Sequence, residues 1–469
     1  MFTALTKTTC LLMKTRFLLT VFLFFIFLLQ VQAQNYATYT GYTDDRKFLS
    51  GIQHKIQQEF VKDSLGVTGE NKKYIQKKYR ERRDFLMKMF EDSLIVSAES
   101  SNKYLALIVN EIVKNNPELQ TQDYRPLFYR AWWPNASATG EGTLLFNTGL
   151  FYRMENESQV AFILCHELAH QYLDHVEKSI KNYVNTVYDN EFQKELKKIK
   201  KLSYEKNKRL DELEKTITFS NRRHSREHEA EADAMAFTFM SRTSFDTRQS
   251  LTALALLDTI DKIDLGMEDI LRKHFTFPGF AFKDNWIKKE STFFGGAETV
   301  SIQDKKDIDS LKTHPDCKLR IKLLEPEVAK TTGSRTLYPI NENTFKDQQA
   351  AFRYEIIETL YKKEYISRAL FQSLELLQSQ PGDPYLVSIV GGCLNKLYTH
   401  QKNHTRGTIT DKPSPFIEKD YNVLLKFLEA LRLDEIATLA NHFLTAYSEP
   451  GKNNLRFEKE LIESRDHIK

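Results

Sequence analysis

The sequence predicts a mainly α protein with one small β-sheet, followed by an all-α C-terminal domain. Three observations carry this. Apolar residues recur at helical spacing through most of the chain. Two short apolar runs, "LFYRAWW" (127–133) and "LLFNTGLF" (144–151), flank a turn-rich "PNASATGEGT" and read as a pair of strands. Beyond about residue 345 helical patterning dominates. With 469 residues, 41% apolar and 28% charged, the chain is large enough for two or three cores. A net charge of +4 and no long basic stripe set nucleic acid aside as a partner.

Residues 1–33 read as a signal peptide. Lys14 and Arg16 precede an apolar run from Phe17 to Leu29, and Val31-Gln32-Ala33 suits signal peptidase. Met13 would also serve as a start, and an uncleaved signal anchor is the competing reading. No later stretch reaches about 18 uninterrupted apolar residues, so the mature chain is expected to have no transmembrane span. The expected location is the periplasm, free or peripheral to the membrane. Cys165, Cys317 and Cys393 are scattered and form neither a disulfide framework nor a zinc-type pair.

Residues 35–66 are polar and give no clear pattern. From Glu70 to Asn115 the spacing of Tyr74, Tyr79, Phe85, Met89 and Phe90 is helical. After the strands a helix is expected from Ser158, as N-cap, through "FILCHELAHQYLDH" (162–175). Residues 177–220 are rich in Lys and Glu, as in a solvated helical hairpin. Another helix starts near Arg223 and runs into "EADAMAFTFM", and 275–300 reads as a long irregular loop. In 365–398, Ala369, Pro381 and Gly391 fall at the spacing of a tetratricopeptide pair, with an ordinary helical bundle as the alternative.

His166 and His170, four apart on a helix, can aim both imidazoles at one point, with Glu167 beside them. A catalytic zinc site needs three protein ligands and a water, and a neighbouring carboxylate can act as the base on that water. The other reading is a core helix with two satisfied histidines. A histidine ten residues after His166 would complete one known ligand pattern, but Val176 stands there. His175 falls on a different face and reads as supporting or structural. "SREHEAEAD" (225–233) offers Glu229, with Asp233 a helical turn later to accept a hydrogen bond from a ligand histidine. By composition, Glu227, His228 and Glu231 remain rivals.

His-Glu-x-x-His followed by Ser225-Arg226-x-x-Glu229-x-x-Ala232-Asp233 resembles the HtpX and CAAX-prenyl-protease family of zinc metallopeptidases. "PNASATGEGTLLFNTGLF" and "THPDCKLRIKLLE" (313–325) resemble that family's segments before and after the metal helices. The likeness spans about 128–325. It implies a zincin-type α+β core with one Zn2+ per chain, held by His166, His170 and Glu229. It implies Glu167 as the catalytic base, Asp233 behind the ligands, and a substrate strand along the edge near Asn135–Phe146. His314 and Arg320 become candidates for gating or for an oxyanion donor, with a helix-capping pair as the plain alternative.

Unlike members with four transmembrane spans, this chain resembles the exported branch with C-terminal tetratricopeptide-like repeats. The expected division is 34–125 as an N-terminal helical segment of the peptidase, 126–325 as its core, 326–350 as a linker and 351–469 as the repeat-like domain. The expected function is an endopeptidase that cleaves misfolded or stalled envelope proteins, with unfolded or misassembled proteins as substrates and envelope complexes docking on the helical repeats. The alternative is a rarely active chaperone or assembly factor that grips partners through those repeats.

Overall fold

The computed structural model describes residue 39 and residues 46–202, 209, 226–260, 264–287, 317–332, 335–414 and 417–469. The signal segment 1–33 and His314 lie outside the described residues. Three helices lead the chain: α1 (Arg46–Gly66), α2 (Lys72–Glu91) and α3 (Glu99–Lys114). The stretch that gave no sequence pattern is thus mostly α1, whose stripe of Leu49, Ile56 and Phe60 packs on Leu86, Met89 and Phe90 of α2. On α3, Tyr104, Leu105, Ile108, Val109 and Ile112 are buried, the i, i+4 stripe of a helix lying on a core.

The sheet has three strands in the order β1-β3-β2: β1 (Arg125–Tyr129), β2 (Ala136–Ala138) and β3 (Thr143–Asn147). β1 runs parallel to β3, and β2 runs antiparallel to it. Pro126 is tolerated because β1 is an edge strand. The connection read as turn-rich therefore contains a strand, and the second expected strand stops at Asn147, where a helical turn Thr148–Phe151 begins. Between β2 and β3 the tip turns at Gly140 and Gly142, both at positive φ (91° and 100°), where a side chain would be strained. Of the segment expected to offer an edge to substrate, 143–147 is the central strand and only 136–138 lies at an edge.

The metal-motif helix α4 (Glu157–Tyr172) is capped by Asn156, whose side chain accepts from the Gln159 N–H; Ser158 sits inside the helix and bonds to the Thr336 carbonyl instead. α4 is buried on nearly all sides. α5 (His175–Val187) and α6 (Asn190–Lys200) form the described part of the Lys/Glu-rich segment. This is more than a solvated hairpin. Val184 is buried against Val67, Ile75 and Tyr79, and Tyr188 stacks on Tyr74 at 3.6 Å between ring centroids. Helix α7 covers 226–241, followed by α8 (Gln249–Thr259), α9 (Met267–His274) and α10 (Cys317–Ala329).

The C-terminal body consists of α11 (Glu342–Lys362), the helical hairpin α12 (Ile366–Ser379) and α13 (Pro384–Lys402), the pair α14 (Lys419–Ala430) and α15 (Leu433–Ala446), and α16 (Leu455–His467). Gly391 of α13 lies so close to α15 that an added Cβ would come 2.4 Å from a Leu444 methyl, which explains the small residue there.

Two features depart from the expected division. α11 runs through the end of the expected linker and serves both cores, with Phe345 and Phe352 in the peptidase core and Ile356, Ile357 and Leu360 in the helical one. Residues 264–287, expected in the peptidase core, are built into the helical body. There Phe275 stacks on Phe427, and Trp286 is buried beside it. A fully buried aromatic contributes about 2–3 kcal/mol of burial, enough to decide which core such a segment joins. No helix among the described residues is long and apolar enough to cross a membrane.

Candidate metal centre

α4 and α7 bring His166, His170 and Glu229 together, with one donor atom of each within 4.8 Å of the others. His166 Nε2 and His170 Nε2 are 2.9 Å apart, and Glu229 places Oε2 3.4 Å from the first and Oε1 3.3 Å from the second. Ligands at about 2.0–2.2 Å from one tetrahedral ion stand about 3.3–3.6 Å from each other. The two contacts to Glu229 have this spacing, and the histidine pair stands somewhat closer.

The charge of the cluster fits as well. Glu167, Glu229 and Asp233 are buried at this centre, and Arg320 pairs with the last two. With both ligand histidines neutral, as metal ligands must be, two negative charges remain, the complement of a divalent cation. Burial works against a charged His166, but its bonds to Asp233 and Glu229 and the Glu229 charge outweigh this and raise it to about 9. A divalent cation binding here displaces a proton from the cluster.

Each ligand histidine is held from behind. His166 Nδ1 bonds to Asp233 Oδ1 at 2.9 Å, and Arg320 clasps Asp233 through Nε (2.6 Å) and Nη2 (2.7 Å). The third nitrogen, Nη1, lies 3.1 Å from Glu229 Oε2. Burial alone would raise the Asp233 carboxyl, but the Arg320 and His166 bonds bring it down to about 2. Arg320 thus has all three of its nitrogens against Asp233 and Glu229.

On the other side, His170 Nδ1 meets His175 Nδ1 at 2.9 Å, and His175 Nε2 meets Glu231 Oε2 at 3.1 Å. The His228 ring stacks on His175 at 4.1 Å. Burial first, then repulsion from His170 and His228, lowers His175 to about 4, so it stays neutral near pH 7. Of the three rivals to Glu229, two therefore buttress His175, and Glu227 is exposed.

The sheet borders this centre through β2, which packs against α4. The Asn135 carbonyl accepts from the Asn147 N–H, so its main chain faces β3. By the alternation of an antiparallel ladder, the peptide groups of Ala136 and Ala138 point away from β3, but Ala136 is buried and only Ala138 is partly exposed. Gln171, next to the ligand His170, donates to the Gly140 carbonyl, and Arg125 donates to that of Glu141. The first bond ties the hairpin tip to the end of the metal helix, and the second ties it to β1.

No curated protein matches the chain. The model of peptidase family M48 matches residues 99–328. That span opens on α3, behind the sheet, and closes on α10, which carries Arg320, so it encloses the whole ligand cluster and its carboxylate support. Over these residues the chain belongs to peptidase family M48, a family of metallopeptidases.

Proposed function

We propose that this chain is a zinc-dependent endopeptidase, with one zinc per chain, that cleaves misfolded or stalled exported proteins. The observation that carries the reading is the convergence of His166, His170 and Glu229 on one point, with Glu167 on the same helix as the two histidines. When bound, zinc supplies Lewis-acid polarisation of the scissile carbonyl and acidifies a water. Glu167 takes the proton of the attacking water and passes it to the amine that leaves. Asp233 fixes the tautomer and aim of His166, and Arg320 steadies Asp233 and Glu229 together. An extended peptide pairs with the partly exposed end of this edge strand at Ala138, through main-chain bonds that ask nothing of its side chains and so suit unfolded proteins as a class. The signal-like leader favours exported substrates in the periplasm, and the helical body offers a surface for envelope complexes.

The test is metal analysis together with cleavage of unfolded casein, with and without a zinc chelator. The wild type should hold one zinc and cut in a chelator-sensitive way. Glu167→Gln should keep its zinc and lose about 10²–10⁴-fold in rate. Undiminished cleavage by that variant, or undiminished zinc in His166→Ala, would overturn the assignment.

A further inference from the structure

Beside His170 lies a cavity of about 540 Å³ between α1, α2, α5 and the tip of the β2–β3 hairpin. Glu141, at that tip between its two glycines, lines the cavity and is 3% exposed, and neither carboxylate oxygen has a hydrogen-bond partner. Arg82 lies against Gly140 with its Nη2 buried and equally without a partner. Among the described residues Glu141 and Arg82 form no ion pair with each other. A buried carboxylate with no donor is costly, so a wall built this way calls for an occupant that brings donors.

The charge around the cavity sets the sign of that occupant. Lys62, Arg82 and Lys181 face four carboxylates: Asp63, Glu141, Asp174 and Glu177. Lys181 is held by Glu177 at 2.8 Å, and Lys62 by Glu59 at 3.6 Å. Asp63, Glu141 and Asp174 have no ion pair among the described residues; Arg82, and Lys62 beside Asp63, are the cations nearest them.

We propose that this cavity is a specificity subsite for a cationic group of the substrate, a lysine or arginine side chain or an N-terminal amine, with Glu141 as its carboxylate partner and Asp63 in support. Arg82 then donates to a carbonyl of the same peptide. The place fits, because one wall is the ligand His170 and the other continues from the edge strand through Thr139 and Gly140. The inference rests on the peptidase reading and adds a preference to it.

The test measures binding of fluorescent peptides by anisotropy to the full chain carrying Glu167→Gln, so that turnover does not intrude. The peptides differ only in lysine or norleucine at successive positions, each with a free or an acetylated N-terminus. Lysine at one position, or the free amine, should bind about tenfold tighter or better, as expected for a charged hydrogen bond out of water. Adding Glu141→Gln should bring that ratio close to one while the melting temperature holds or rises, since an unpartnered buried charge is removed. If that variant does not fold, Asp63→Asn should lower the same ratio. A ratio of one with Glu141 intact, or one that Glu141→Gln leaves unchanged, removes the subsite. Wild-type cleavage with no cation preference would remove the subsite and leave the peptidase. Cation-selective binding without zinc-dependent cleavage would do the reverse.

Discussion

Asp233 and Glu358 are both buried carboxylates clasped by an arginine, the first beside the metal cluster and the second in the helical body. Burial opposes the charge in each, and hydrogen bonds bring each down to about 2. Their surroundings differ. Glu358 takes both Arg456 nitrogens at 2.8 and 2.9 Å, the Tyr385 hydroxyl at 2.8 Å and Lys362 at 3.2 Å, so its donors are all structural. Asp233 takes Arg320 and then His166, a donor whose other nitrogen faces the ligand cluster. One pair closes on itself; the other transmits its geometry to a site. Similar chemistry and similar burial therefore do not mark function. What marks it is whether a member of the network has an atom left for something outside it.

The largest expected effect that sharpens this contrast is in the helical body. Glu358→Ala leaves Arg456 and Tyr385 without their partner and should cost about 3–4 kcal/mol in stability, as for a broken buried ion pair. Zinc content per folded chain should stay at one. A melting temperature equal to wild type would mean that the pair contributes nothing, and lost zinc would mean that the two networks are coupled.

Asp233→Asn should act in the opposite way. Asparagine keeps a group near His166 but loses the charge that orients the imidazole and pairs with Arg320. Zinc affinity should fall about 10–100-fold, read by competition with a chelating dye, and the effect should exceed any loss of stability measured with zinc bound. Equal affinity would place Asp233 with Glu358, as framework.

How much of this was legible in the sequence follows from the range of each interaction. His166 and His170 could be read because helix periodicity alone fixes which residues share a face, whereas only the resemblance of its segment to the metallopeptidase family separated Glu229 from Glu227, His228 and Glu231. Asp233 then followed from helix periodicity, one turn beyond Glu229. The role of Glu231 and His228 could not be read, since both meet His175 across a helix–helix contact that leaves no periodic trace. Arg320 was noticed, but its partners come from a helix nearly ninety positions earlier. The three-residue β2 has too little alternation to reveal a strand, and its turn-like composition belongs to the tip beyond it. Glu141 carried one weak signal, an acidic residue between two glycines, which says only that the backbone turns there. The allocation of 264–287 was equally hidden. Its Phe-rich composition suits any core, and only long-range packing on Phe427 decides which one.

The smallest expected effect tests whether the helical body has a pH dependence of its own, apart from the metal cluster. His274 is buried there. Its Nδ1 bonds to the Tyr447 hydroxyl at 3.1 Å, and Gln378 Nε2 lies 2.8 Å from its Nε2. Gln378 cannot turn its amide over without cost, because Lys273 donates to its Oε1 and its Nε2 also donates to the Leu374 carbonyl. Nε2 of His274 is therefore an acceptor, and a proton there would set one donor against another. Burial first, then the Lys273 charge, lowers this histidine from 6.5 to about 4. The unfolded chain then binds the extra proton between those values. The stabilisation is complete above about pH 6.5 and is lost as pH falls towards 4, amounting to roughly 2 kcal/mol by pH 5. Urea unfolding of the wild type at pH 7.5 and 5.0 should show this loss on top of whatever other groups contribute. His274→Gln cannot take the proton, so its loss between the same pH values should be smaller by about that amount. Identical losses in the two proteins would mean that His274 titrates alike in both states and that any acid sensitivity comes from other groups.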